Sequence, residues 1–217
     1  MKKQIITALA LVLFSIAGFA QTTAAADALQ NAVTKLDQAQ TARDYEVLEK
    51  TFAGIAAQSN AWLPYYYAAF CNAKIGFLYQ DDGDKIEPYS NRGEEQAKKA
   101  ASLLDTVRQK NELSEVYTVL SMVYRTKVFI NPMTYGRKYG MLSDQYLRQA
   151  TQLYPQNPRA AYVAAWVKYN TPKMWGGDKQ LAKQLATESL QHLGNASAGV
   201  NPHWGKAEDT ELLSKYK

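Results

Sequence analysis

Cysteine and histidine are almost missing from this chain: Cys71 stands alone, and His192 and His203 are the only histidines in 217 residues. A single thiol excludes an internal disulfide framework, and among Ala68, Ala69, Phe70 and Ala73 it reads as a buried, inert side chain. The two histidines stand eleven residues apart across a predicted helix end, with no cysteine or acidic partner at ligand spacing, so no local metal site is expected. Gly-x-Ser-x-Gly, His-Glu-x-x-His and the phosphate-loop pattern are all missing. With so thin an inventory of convergent chemistry, the reading is a protein that is not an enzyme and carries no cofactor.

A strong excess of charge of one sign is also missing. The formal excess of +5 is mild, and it shrinks when Lys2 and Lys3 are removed with the leader, so it is no nucleic-acid footprint. The cluster Asp81-Asp82-Gly83-Asp84 lacks the alternating acids and distal glutamate of a calcium loop and reads as a solvated turn. Long apolar runs are confined to the start: Lys2 and Lys3, the run Ile5 to Ala17 and the small-x-small site Gly18-Phe19-Ala20 read as a secretory signal peptide, residues 1–20, cleaved before Gln21. The run is too short for a retained anchor, so no stable membrane insertion follows. With no cysteine at the site to carry a lipid, the mature chain is expected in the periplasm of a Gram-negative bacterium, or secreted.

What is abundant is helical periodicity. Residues 24–40 carry Leu29, Val33 and Leu36 on one stripe. Residues 44–58 carry Tyr45, Leu48, Phe52 and Ile55, with Asp44 as a candidate N-cap. Ala61 to Tyr79 is apolar on nearly every side, which requires cover on more than one face. Pro64 then belongs to its first turn and Ala68 to a close helix contact. Residues 80–91 read as a loop, and 92–109 as a helix with Ala97, Ala101 and Leu104 inward. Further on, 157–169 is a helix ended by Thr171-Pro172. Trp175-Gly176-Gly177-Asp178 turns the chain, with positive φ available at the glycines and Asp178 capping the helix of Leu181, Leu185 and Leu190. A tail, 195–205, precedes a short helix over 208–216, with Leu212 and Leu213 inward and Trp204 plugging the open end of the stack.

The stretch Glu115 to Pro155 is the most telling. Tyr117, Leu120, Ser121 and Tyr124, then Ser143, Leu147, Ala150 and Pro155, set large residues around a small one, as two closely packed antiparallel helices require. Between them lie ten residues more than the pattern needs, within Phe129 to Ser143: either a functional loop or an extended helical hairpin with Tyr135 and Met141 inward.

On those residues the chain resembles tetratricopeptide repeat (TPR) proteins of a divergent secreted or periplasmic type. The turn Pro172-x-x-Trp175-Gly176-Gly177-Asp178 is similar to one in periplasmic members associated with solute transporters. The resemblance implies an all-α, short solenoid of antiparallel helix pairs with enlarged loops within the repeats. It forms one domain over 21–217, with a repeat core at about 44–193 and a C-terminal cap at 195–217. It also implies a concave groove lined by Tyr65, Asn72, Glu115, Thr118, Met122, Arg125, Arg159, Tyr162, Trp166, Tyr169 and Asn170. The lysines and asparagines with which some TPR domains clamp a C-terminal carboxylate are replaced here by Tyr65, Thr118, Tyr162, Ala69, Met122 and Trp166. The implied partner is instead an apolar or extended protein segment with an acidic flank. A small apolar or sugar-like ligand tied to solute uptake is the alternative, and a self-associating envelope protein a third. On the groove reading, Trp166→Ala with Arg159→Glu abolishes partner capture and leaves the melt cooperative.

Overall fold

The computed structural model describes residues 25–194 and 199–216. The leader, its cleavage site and residues 195–198 of the expected cap lie outside them. The described chain is all-helical: α1 (25–36), α2 (Ala42–Ser59), α3 (Trp62–Leu78), α4 (Glu87–Ser102), α5 (Lys110–Ile130), α6 (Pro132–Leu153), α7 (Pro158–Asn170), α8 (Lys179–Leu193) and α9 (Lys206–Ser214). Short 3-10 turns lie at Gly83–Lys85 and Lys173–Trp175. No described helix is long and apolar enough to cross a membrane.

Local chemistry sets the boundaries. Thr41, not Asp44, caps α2. Asp44 occupies the third helical position and returns the bond to the Thr41 backbone, closing a capping box that holds two otherwise orphaned N–H groups. Asn157 caps α7 ahead of Pro158, and Asp178 caps α8 after Gly176, which takes φ +91°. The ten extra residues between α5 and α6 are not a loop. They lengthen both helices, leaving Asn131 as the sole linker, its side chain capping α6 at Thr134 N with Pro132 in the first turn. Met141 is exposed on this hairpin and Tyr135 half-buried. Likewise α4 starts at Glu87, inside the expected loop, because Pro88 is tolerated in a first turn and Ile86 is fully buried ahead of it.

Consecutive helices pack as neighbours, and α3 also meets α5, as α5 meets α7. α3 is the centre of the core: Tyr66, Tyr67, Phe70, Cys71 and Ile75 are buried, covered by α2, α4 and α5 as its all-round apolarity demands. The α3–α5 contact is close because Gly76 faces Thr126, and a Cβ at Gly76 would lie 2.7 Å from the Thr126 Cβ. Gly76→Ala is therefore expected to lower stability by about 1–3 kcal/mol through overpacking. A urea midpoint equal to wild type would show that the helices part freely. A second, smaller cluster of Ala165, Ala186 and Leu212, flanked by Tyr169, Leu185 and Leu213, seats α9 on α7 and α8 apart from the main core.

Candidate functional site

The helices α3, α5 and α7 form one parallel row, and each aims a stripe at the same side. On α3 the stripe is Tyr66, Phe70 and Phe77; on α5 it is Glu115, Met122 and Phe129; on α7 it is Arg159, Tyr162 and Trp166. These spacings of three, four, seven and eleven keep residues on one helical face.

At the N-terminal end of the row sits a buried ion pair. Arg159 Nε and Nη2 donate to the two carboxylate oxygens of Glu115, both at 2.7 Å, and the Tyr66 hydroxyl donates to Glu115 at 3.4 Å. Burial works against the charge on Arg159. The hydrogen bonds and charge of Glu115 outweigh it and hold the guanidinium above its ordinary pKa. Burial, followed by the nearby Glu115 charge, pushes the Tyr66 phenol far up.

At the C-terminal end the stripes converge on an aromatic triad. Phe77 lies 5.0 Å from Trp166 and 6.1 Å from Phe129, and Phe129 lies 6.4 Å from Trp166, all edge to face. All three rings are half-buried, and Leu78 beside them is exposed. Edge-to-face packing turns part of each ring outward, so three helices offer a rigid apolar surface with little rotamer entropy to lose on binding.

Between the two ends runs the chain's own segment 199–205. The Tyr67 hydroxyl donates to Val200 O at 2.6 Å, His203 Nε2 lies 2.8 Å from Asp37, and Trp204 Nε1 donates to the Tyr66 hydroxyl at 2.7 Å. The indole lies 4.8 Å from Phe70 and 6.1 Å from Tyr162. Lys74 then meets Glu208 at 3.3 Å where α9 begins. Burial, with Glu208, Asp209 and Glu211 adding to it, holds the Tyr162 phenol protonated far above its usual range.

The expected groove residues therefore divide. Asn72, Glu115, Thr118, Met122 and Arg159 are buried and serve the core, because the helix row packs tightly and residues 199–205 cover it. Asn72 donates to Gln96 on α4. Arg125 turns to Asp144 of α6 at 2.8 Å. Tyr65 is half-buried against the main core, and Tyr162 lies under Trp204. Tyr169 packs on Tyr216, and Asn170 is exposed, donating to Trp166 O. Trp166 alone of the eleven belongs to the triad. Its partners were missed: Phe129 fell in the presumed loop, though continuing the seven-residue step from Glu115 through Met122 finds it. Phe77 follows from Phe70 by the same step. Trp204 does not plug the end of the stack but lies between α3 and α7.

No protein-family model matches the chain, and no curated protein matches it in sequence. Among solved structures, it is similar to the HusA haemophore from Porphyromonas gingivalis, with a TM-score of 0.76 and 29% identity over 88% of this chain and 92% of that one.

Proposed function

We propose that this protein is a non-enzymatic carrier that binds haem, a planar aromatic macrocycle, against the triad of Phe77, Phe129 and Trp166. The observation that carries the reading is the half-exposed triad at the mouth of an otherwise filled helix row, in a fold similar along nearly its whole length to a haemophore. Apolar sites with rigid aromatic walls suit a flat ligand, and edge-to-face rings present both faces and edges to it. Neither histidine belongs to the triad: His203 is engaged by Asp37 and His192 sits beside Glu188 on α8. On this reading the macrocycle is held by its faces, with the iron contributing little. The signal peptide and the TPR-like solenoid belong to the same proposal: a carrier released across the inner membrane, its helix pairs stacked around one ligand groove.

Support for a small ligand over a protein partner comes from residues 199–205, a segment of the chain itself that already lies on Tyr66, Tyr67 and Tyr162. The test is titration of the mature protein with haemin, followed by its Soret band. Trp166→Ala is expected to weaken binding roughly 10- to 100-fold, and iron-free protoporphyrin to bind within a few-fold of haemin. Full affinity in Trp166→Ala moves the site elsewhere. No spectral change with wild type removes haem as the ligand.

A further inference from the structure

The indole of Trp204 sits where a planar ligand would sit. It lies against Phe70, meets Tyr162 edge-on and donates its one N–H to the Tyr66 hydroxyl. This slot continues the triad's surface. Phe70 precedes Phe77 by seven residues on α3, about 10 Å along the axis, and Tyr162 precedes Trp166 by four on α7, about 6 Å. A macrocycle seated on the triad therefore borders the indole.

The attachment of the segment is unlike that of the rest of the chain. Residues 199–204 make no backbone-to-backbone hydrogen bond to the rest of the described chain; they are held by the Tyr67 hydroxyl on the Val200 carbonyl, by Asp37 on His203, by Tyr66 on Trp204, and by the packing of Val200 and Trp204 on the main core. At its C-terminal end stands Gly205, with φ +120°, a backbone state that side-chain-bearing residues rarely adopt. Beyond Gly205, α9 keeps its own seat on the small cluster of Ala165, Ala186 and Leu212. The segment can thus leave while α9 stays seated, the main core losing only the cover of Val200 and Trp204.

We propose that the slot of Tyr66, Phe70 and Tyr162 is the inner half of the ligand site and that Trp204 is its displaceable occupant, withdrawn about Gly205 when a planar aromatic ligand enters. This rests on the haem reading above. Withdrawal frees the Tyr66 hydroxyl as an acceptor and uncovers three rings for the ligand at the cost of three hydrogen bonds and of the packing of Val200 and the indole, which the ligand's own rings replace, so occupancy is an exchange of one aromatic group for another.

The test bridges the segment reversibly. His203→Cys with Asp37→Cys puts a half-buried thiol beside an exposed one while Cys71 stays buried, and a bis-methanethiosulfonate reagent links them until dithiothreitol releases them. Haemin affinity is expected to fall at least 10-fold on bridging and to return on reduction of the same sample, which controls for folding. Trp204→Ala, unbridged, is expected to take up haemin at least 10-fold faster than wild type. Equal affinity before and after reduction overturns the displaceable occupant and leaves the haem reading standing. If wild type and Trp204→Ala both fail to bind haemin, the haem reading falls and this proposal with it.

Discussion

Replacing Arg159 by alanine is expected to lower stability by about 3–5 kcal/mol, a large share of what a domain of this kind possesses. The substitution leaves the Glu115 carboxylate buried with only the distant Tyr66 hydroxyl beside it. An uncompensated buried charge costs far more than the net worth of the pair. The expected reading is a urea midpoint lowered by roughly 1–3 M with an unchanged slope. Arg159→Glu is worse, since it sets two carboxylates together where little water reaches; it unfolds the protein rather than probing a surface. The sequence-based expectation that this change leaves a cooperative melt is therefore corrected by the burial of both partners. Replacing the pair together, Arg159→Met with Glu115→Leu, is expected to recover most of the loss. A wild-type midpoint in Arg159→Ala would mean that solvent reaches Glu115.

Between pH 5 and pH 7 the protein is expected to lose stability as the pH rises, and Asp209→Asn is expected to remove most of that slope. Burial, partly offset by the hydrogen bond from Ser189 and reinforced by the Glu208 charge, pushes the Asp209 carboxyl from 3.8 up to about 7. The Ser189 hydroxyl lies 2.5 Å from one carboxylate oxygen, and the other is buried without a partner. Below about pH 4 the carboxyl is protonated in the folded and unfolded chains alike. From there to about 7 only the unfolded chain gives up its proton, so unfolding gains ground with each unit. Above 7 both are ionised and the penalty is constant. The change over the window is on the order of 2 kcal/mol. Glu94 does not confuse it: burial opposes its charge, but Lys127, Lys98 and Tyr124 bring it down to about 2, so its contribution is lost only under strong acid. Thermal melts of both proteins at half-unit steps check the prediction. Equal slopes would place Asp209 in water.

Helix content was legible because the apolar stripes repeat at helical spacing, and α3 announced its central place by having no polar face. Boundaries were less legible where two signals competed. Asp44 and Thr41 are both good caps, and only the reciprocal bond decides between them. The α5–α6 hairpin was obscured because Asn131-Pro132 and two glycines look like a loop, although Pro132 opens a helix and Gly136 and Gly140 face open space. The groove was partly legible. The lining implied by the resemblance includes Glu115 and Arg159, which meet across α5 and α7, and Trp166, which meets Phe77 and Phe129. Spacing carried no information that residues nearly ninety positions beyond Glu115 would fold back over them. Trp204 reaches the Glu115–Arg159 pair through the Tyr66 hydroxyl, and contact between such distant segments leaves no local periodicity.

The lone thiol gives the molecule an internal clock. Cys71 is fully buried in the main core on α3, which α2, α4 and α5 cover, and burial raises its pKa well above the ordinary thiol value. α9 rests on a separate cluster. Departure of residues 199–205, or even fraying of α9, leaves Cys71 shielded, whereas parting of α2 from α3 exposes it. Its modification by a thiol reagent under native conditions thus times the opening of the whole core and is blind to comings and goings at the groove.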